Sequence, residues 1–427
     1  MSTTVPKPSL AGAKTKQRKG VAKAQAKFEP NVFRDSLVKS LEAVPQGDFD
    51  GYAKELDTLG NTLEYRKYED QLFQLLCVGR LLAPGGNYIQ DDAPQCPVSI
   101  IGAPTAELAD IRKVVEVFHK LIRRYKYLQK TFEETTLTNI LQYVNKFEDP
   151  KAPAGTHPNQ DKMAVATALL VSGGLVGSAS VLASLKKDHV VKDGVSLAFI
   201  TTYIRTYLTA ETIDHLGSSL RRGGVADLIL FFPPNKRTMA FAAEHFKKEN
   251  LDKVWEFYQK QRSAGIREEM AEHLRTMVAN EESHEEIATY LKEQFKSEAV
   301  SDVDFLATIW TNLLSDVDAA ASAQQACETA LKEIKDIVPL LEPYASSARA
   351  QVGLINTIQG WCYEQTKAMA VFPRALKMLY AADVLSDNAI LYWHSKGSKP
   401  AGRQHFLTAS EPLIKFLQEQ EESEEEE

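Results

Sequence analysis

The residues of this chain best suited to chemistry are carboxylates and aromatics gathered at its end, and the chemistry they suit is the capture of cations. Seven of the nine residues from Glu419 to Glu427 are glutamate. Like charge at that density repels itself and has no apolar surface to bury, which predicts a solvated, disordered arm. Glu419, Glu421, Glu422, Glu424 and Glu425 could dock a lysine-rich partner, or the arm could serve solubility alone. Just upstream, DVLSDNAILYWH sets Trp393 near Asp383 and Asp387. An aromatic beside carboxylates attracts lysine by cation–π attraction and charge pairing together, which makes these three candidate binding residues; the plain alternative is a core tryptophan. Ser423, among the glutamates, has the character of an acidophilic kinase site, where a phosphate would add negative charge.

Nothing in the sequence points to catalysis. No GxGxxG, phosphate-binding loop or GxSxG elbow is present, and His284-Glu285-Glu286 lacks the second histidine one turn on that a zinc site of the HExxH kind needs. The run SGGLVGSAS lacks the lysine of a phosphate loop and reads as close helix packing. Acid pairs such as Glu133-Glu134 and Glu285-Glu286 read as solvated faces. Cys77, Cys96, Cys327 and Cys362 are widely spaced, with no CxxC pair, so reduced thiols of a cytoplasmic protein are expected and neither a disulfide frame nor a metal site. No cofactor is expected.

Charge divides the chain. The formal net charge of −7 combines a basic arm, residues 1–27 with seven Lys or Arg and no acid, with an acidic remainder. The arm is expected to be disordered. An acidic body argues against broad nucleic-acid binding as the main activity, because phosphate contacts need a basic surface. One local exception is HKLIRRYKYLQK, where Lys120, Arg123, Arg124, Lys126 and Lys130 form a basic patch able to contact an acidic partner or RNA, or simply to face solvent. Leu121 and Leu128 stand seven apart, but the next heptad position is Thr135 and the preceding ones are Val114 and Glu107, so the seam is too short for a leucine zipper. No apolar run approaches the roughly 18 residues of a membrane span.

The elements that must position these residues read as helices. Apolar positions recur at three and four in segment after segment, including 30–41, 50–59, 65–82, 106–132, 137–147 and 163–185. Val190–Leu208 is ambiguous, since Val, Ile, Thr and Tyr also suit strands. After a break at Pro233-Pro234, expected near a domain boundary, the helical pattern continues to the end, with segments that include 373–384, 386–396 and 404–420. Many helices of 10–20 residues joined by short connections predict an all-α, HEAT-like or MIF4G-like solenoid.

KFEPNVFRDSLVKSL, LEYRKYEDQLFQLLCVGRLLAPGG, VFHKLIRRYKYLQKTFE, FFPPNKR and YAADVLSDNAILYWH with an acidic finish together resemble the basic leucine zipper and W-two domain proteins, also called initiation factor 5-mimic proteins. The resemblance runs from about Phe28 to the end. It implies an N-terminal HEAT or MIF4G-like domain over 28–245, a W-two type HEAT domain over 246–418 and an acidic tail over 419–427. It further implies a non-catalytic regulator of translation initiation. Such a protein binds lysine-rich segments of the initiation factor 2 beta subunit, contacts initiation factor 3, competes with initiation factor 5 and tunes start-codon selection. The first acidic and aromatic box would be Asp383, Asp387 and Trp393; the second would be Glu411, Phe416, Glu419, Glu421 and Glu422. The family's second box usually carries tryptophan where this chain has Phe416, which keeps an aromatic face but loses the indole donor. An RNA- or DNA-binding regulator using the basic arm and the 119–130 patch is the alternative.

Overall fold

A computed structural model describes residues 28–90, 92–177, 179–297, 299–315 and 322–425, with side chains described as far as Gln420. The basic arm, residues 1–27, lies outside the described residues. The chain divides into two compact units, the first ending at Trp255 and the second beginning at Glu256. That division is later than the proline pair suggested. Phe231 and Phe232 are fully buried, and Arg237 donates to the Phe232 carbonyl at 2.9 Å, so FFPPNKR is anchored in the first unit as a turn.

In the first unit, α1 (Pro30–Glu42) starts on a proline that pre-sets the first helical turn and buries Phe33, Leu37 and Leu41 at four-residue steps. Asp48 caps α2 (Phe49–Leu59) by accepting from the Gly51 N–H, and Gly79, at φ 72°, ends α3 (Glu69–Val78). The long basic helix is shorter than its pattern: α4 (Leu108–Arg124) stops at Tyr125, whose hydroxyl turns to the Asp57 carbonyl at 3.0 Å and carboxylate at 3.1 Å. The chain resumes as α5 (Leu128–Thr131), a π-helical turn (Phe132–Leu137) and α6 (Thr138–Gln142). Likewise α7 (Pro158–Ser172) ends early, because Gly174 takes φ 71° and turns the chain into a 3-10 segment. Gly174 therefore makes a turn, while Gly173 packs closely on α4, where an added Cβ would stand 3.0 Å from His119 Nε2. The ambiguous stretch is helical, as α8 (Asp188–Val191) and α9 (Val195–Tyr207). Two further helices, α10 (Ile213–Arg222) and α11 (Met239–Lys248), complete the unit.

The division between units falls within α12 (Asp252–Ala279). Capping boxes, Ser283 with Glu286 and Ser322 with Gln325, start α13 (His284–Lys296) and α15 (Ala323–Leu341), on either side of α14 (Asp302–Leu313). The chain closes with α16 (Ala348–Glu364), α17 (Val371–Ala381), α18 (Asp387–Tyr392) and α19 (Arg403–Glu425). Each helix packs on its next-but-one neighbour: α14 on α16, α15 on α17, α16 on α18 and α17 on α19. That alternation is how helix hairpins stack into a two-layer solenoid, and the first unit repeats it with α1 on α3, α2 on α4 and α7 on α9.

Among the described residues there is no strand, only a single bridge between Leu82 and Tyr88. All four cysteines are reduced and buried. Among the described residues no helix is long and apolar enough to cross a membrane.

Candidate functional site

The acidic and aromatic residues singled out from sequence lie on or between α17, α18 and α19 of the second unit. Leu379 and Leu385 are buried and tether the loop after α17, so that Asp383 projects from its corner. Asp383 takes φ 56°, a left-handed conformation that aspartate tolerates better than most residues. Ser386 caps α18, its hydroxyl accepting from the Ala389 N–H, and Asp387 follows as the first residue of the helix.

Trp393 departs from the expectation of a cation-binding surface ring. It is fully buried, with its ring centroid 5.1 Å from that of Phe372, and its indole N–H donates to Gln359 Oε1 at 3.1 Å. Ala389, Ile390 and Trp393 are spaced to share the inward face, and the helix closes there in a π-helical turn (Trp393–Gly397). Its place is in the core beneath the acidic loop. The exposed ring of this segment is Tyr392, at 55%.

On α19 Glu411, Phe416 and Glu419 of the second box face outward. Phe406, Ser410, Ile414 and Leu417 are buried against the unit, while Glu411, Phe416 and Glu419 are exposed. Phe416 keeps 48% of its surface accessible, unusual for a ring that could have been buried. Glu411 and Glu419 lie about two helical turns apart, with Phe416 beside Glu419 one turn before it. Lys415, also exposed, stands between the two glutamates, a feature the sequence reading passed over.

Beyond Glu419 the helical backbone runs on to Glu425, where disorder was expected. Glutamate is a good helix former, and turns already held by packing make each further turn easier to add. The side chains of Glu421, Glu422, Ser423, Glu424 and Glu425 lie outside the described residues. Residues 256–427 carry 29 acidic and 16 basic side chains, against 28 and 34 in residues 1–255, so the acidity belongs to the second unit.

The basic patch of the first unit is divided rather than continuous. Lys120 pairs with Asp50, Arg124 with Asp57 at 3.0 Å, and Lys130 with Glu134 at 3.9 Å. Arg123 and Lys126 remain exposed at the corner after α4. Sequence reasoning missed Arg66, which stacks over Tyr127 at 4.2 Å from a different segment. It also missed the amides of α16, because Gln351, Asn356 and Gln359 bond to backbone that is 35–43 residues away.

Two family models match the chain. One, described as the 5MP1/2 HEAT domain, covers residues 15–268; the other, the W2 domain of eIF4-gamma/eIF5/eIF2-epsilon, covers residues 350–427, from α16 onward. Among curated proteins the chain is similar to Protein krasavietz of Drosophila melanogaster, 32% identical over 429 residues, covering 100% of this chain and 98% of the relative. It is 32% identical to human eIF5-mimic protein 1 over 423 residues, 99% and 98% of the two chains. It is 33% identical to eIF5-mimic protein 2-A of Danio rerio over 425 residues, with the same coverage of 99% and 98%. A HEAT unit, a W2 domain and full-length similarity thus place the chain in the eIF5-mimic protein family, regulators of translation initiation that resemble eIF5 and act without catalysis.

Proposed function

We propose that the C-terminal unit captures lysine-rich segments of the initiation factor 2 beta subunit on Asp383, Asp387, Glu411, Phe416 and Glu419, with the glutamates from Glu421 onward extending the surface. The chain also contacts initiation factor 3 and acts in the cytoplasm. By occupying these partners it restrains initiation factor 5 and alters start-codon stringency. The observation that carries this reading is the half-exposed Phe416 beside the carboxylates of α19 on a strongly acidic unit. A lysine laid across that face meets the Phe416 ring for its ammonium and the Glu419 carboxylate one helical turn on.

Each exposed pair contributes about 0.2–1 kcal/mol, so affinity comes from number and is steeply salt-dependent. Trp393 supports the site from beneath rather than touching the ligand. The test is a competition assay. A labelled lysine-rich segment of the beta subunit, bound to the C-terminal domain of initiation factor 5, should be displaced by this chain and much less by a Phe416→Ala, Glu419→Gln double variant. Failure of the wild-type chain to displace it would defeat the proposal.

A further inference from the structure

Helix α16 bonds both to the segment of the first box and to the loop that leads into α19. Near its start, Gln351 accepts from both the backbone N–H and the hydroxyl of Ser386, at 3.1 and 2.7 Å, between Asp383 and Asp387. Further along, Asn356 donates to the Gly397 carbonyl at 2.9 Å and accepts from the Lys399 N–H at 3.1 Å. One turn later Gln359, fully buried, accepts from the Trp393 indole and donates to the Lys399 and Ala401 carbonyls at 2.8 and 2.6 Å.

Both amide protons of Gln359 are thereby used, one on each side of Pro400, just before α19 begins at Arg403. A buried amide satisfied by three partners on two other segments fixes those segments relative to each other, because moving any one strands a polar group. The Phe372 ring continues the link, lying 5.1 Å from Trp393 and 4.7 Å from Phe406 of α19.

We infer that Gln359 is a positioning residue that holds the loop and helix of the first box in register with α19, so that a partner carrying two lysine clusters engages both boxes together. This rests on the binding reading given above. Linked engagement converts the second contact into an intramolecular one, and its advantage disappears when the two surfaces no longer keep a fixed spacing.

Two measurements test it on the full chain. Spin labels at Asn388→Cys and Lys415→Cys, both exposed positions, report the spacing of α18 and α19; the four native cysteines are buried and stay unlabelled. Wild type should give a narrow distance distribution, and Gln359→Met one at least about twofold wider. In the unlabelled chain, the ratio of affinities for a two-cluster and a one-cluster lysine peptide should fall on the order of tenfold in Gln359→Met. A purely structural role would lower both affinities together and leave the ratio alone. Trp393→Phe, which keeps a smaller aromatic ring and removes the indole donor, should shift width and ratio in the same direction and carries the test if Gln359→Met does not fold. An unchanged width or an unchanged ratio in a folded variant overturns the inference. A wild-type chain that binds neither peptide overturns the binding reading instead, and the label distances then decide the positioning role alone.

Discussion

Replacing Trp393 by alanine separates a core tryptophan from a ligand-binding one. The indole is fully buried against Phe372, and emptying such a site costs about 3–5 kcal/mol in lost burial and cavity. The same change removes the donor facing Gln359 Oε1, leaving a buried acceptor unpaired at about 1–3 kcal/mol more. Against a domain stability of about 5–15 kcal/mol, that brings the second unit near its unfolding threshold. Phe416→Ala removes a ring of which 48% is already in water and should change stability by no more than about 0.5 kcal/mol. Urea unfolding followed by far-UV circular dichroism distinguishes the two. A Trp393→Ala protein within about 1 kcal/mol of wild type, or a Phe416→Ala protein destabilised as strongly as Trp393→Ala, would refute the assignment of Trp393 to the core and Phe416 to the surface.

Other outcomes follow from the same geometry. Lys415→Gln removes a like charge from the path of a lysine-rich ligand and should tighten peptide binding about twofold at low salt, measured by titration. Burial holds His119 and His245 below the ordinary histidine range, so the folded state binds fewer protons than the unfolded one around pH 6. Their contribution to stability is present above about pH 6.5 and is lost as pH falls below it; His245→Asn should reduce the drop in urea midpoint between pH 7 and 5. Burial pushes the thiols of Cys96 and Cys362 up to about 12 and that of Cys77 higher still, so a thiol reagent should find almost none of the four cysteines in the native protein and all of them in denaturant. Gly86 has φ 81°, and an added Cβ would stand 2.3 Å from that of Tyr143; Gly86→Ala should lower the melting temperature by several degrees.

Helical periodicity made the all-α architecture legible, since a three-and-four spacing survives in every amphipathic segment. Where it misled, a long-range contact had won over local pattern. The run from Val114 to Leu128 keeps its stripe through Tyr125, yet the bond to Asp57 on α2 turns the chain there. Trp393 was drawn to the surface by its acidic neighbours in sequence, although its spacing from Ala389 and Ile390 already put it on the buried face. The acidic and aromatic residues of 383–393 and of the tail were legible as composition, and their grouping into two boxes only through the family resemblance; the amide contacts behind them were not legible. Gln359 interrupts an apolar stripe of Ile355, Ile358 and Cys362, and a buried glutamine has no meaning until its partners 34–42 residues away come into view. Helix α19 is likewise part of the fold, since removing it would strip Phe406, Ile414 and Leu417 from the core.

The most direct measurement is therefore a calorimetric titration of the full chain, and of a chain ending at Gln420, with a lysine-rich peptide at low and physiological salt. The shorter chain keeps every buried residue of α19 among those described and loses six of the seven terminal glutamates. Loss of those charges should weaken binding by about 1–3 kcal/mol at low salt, on the order of tenfold to a hundredfold, with a smaller gap at physiological salt and residual binding abolished by Phe416→Ala. Equal affinity of both chains and of the Phe416→Ala variant would mean that the acidic and aromatic surface is not the binding site.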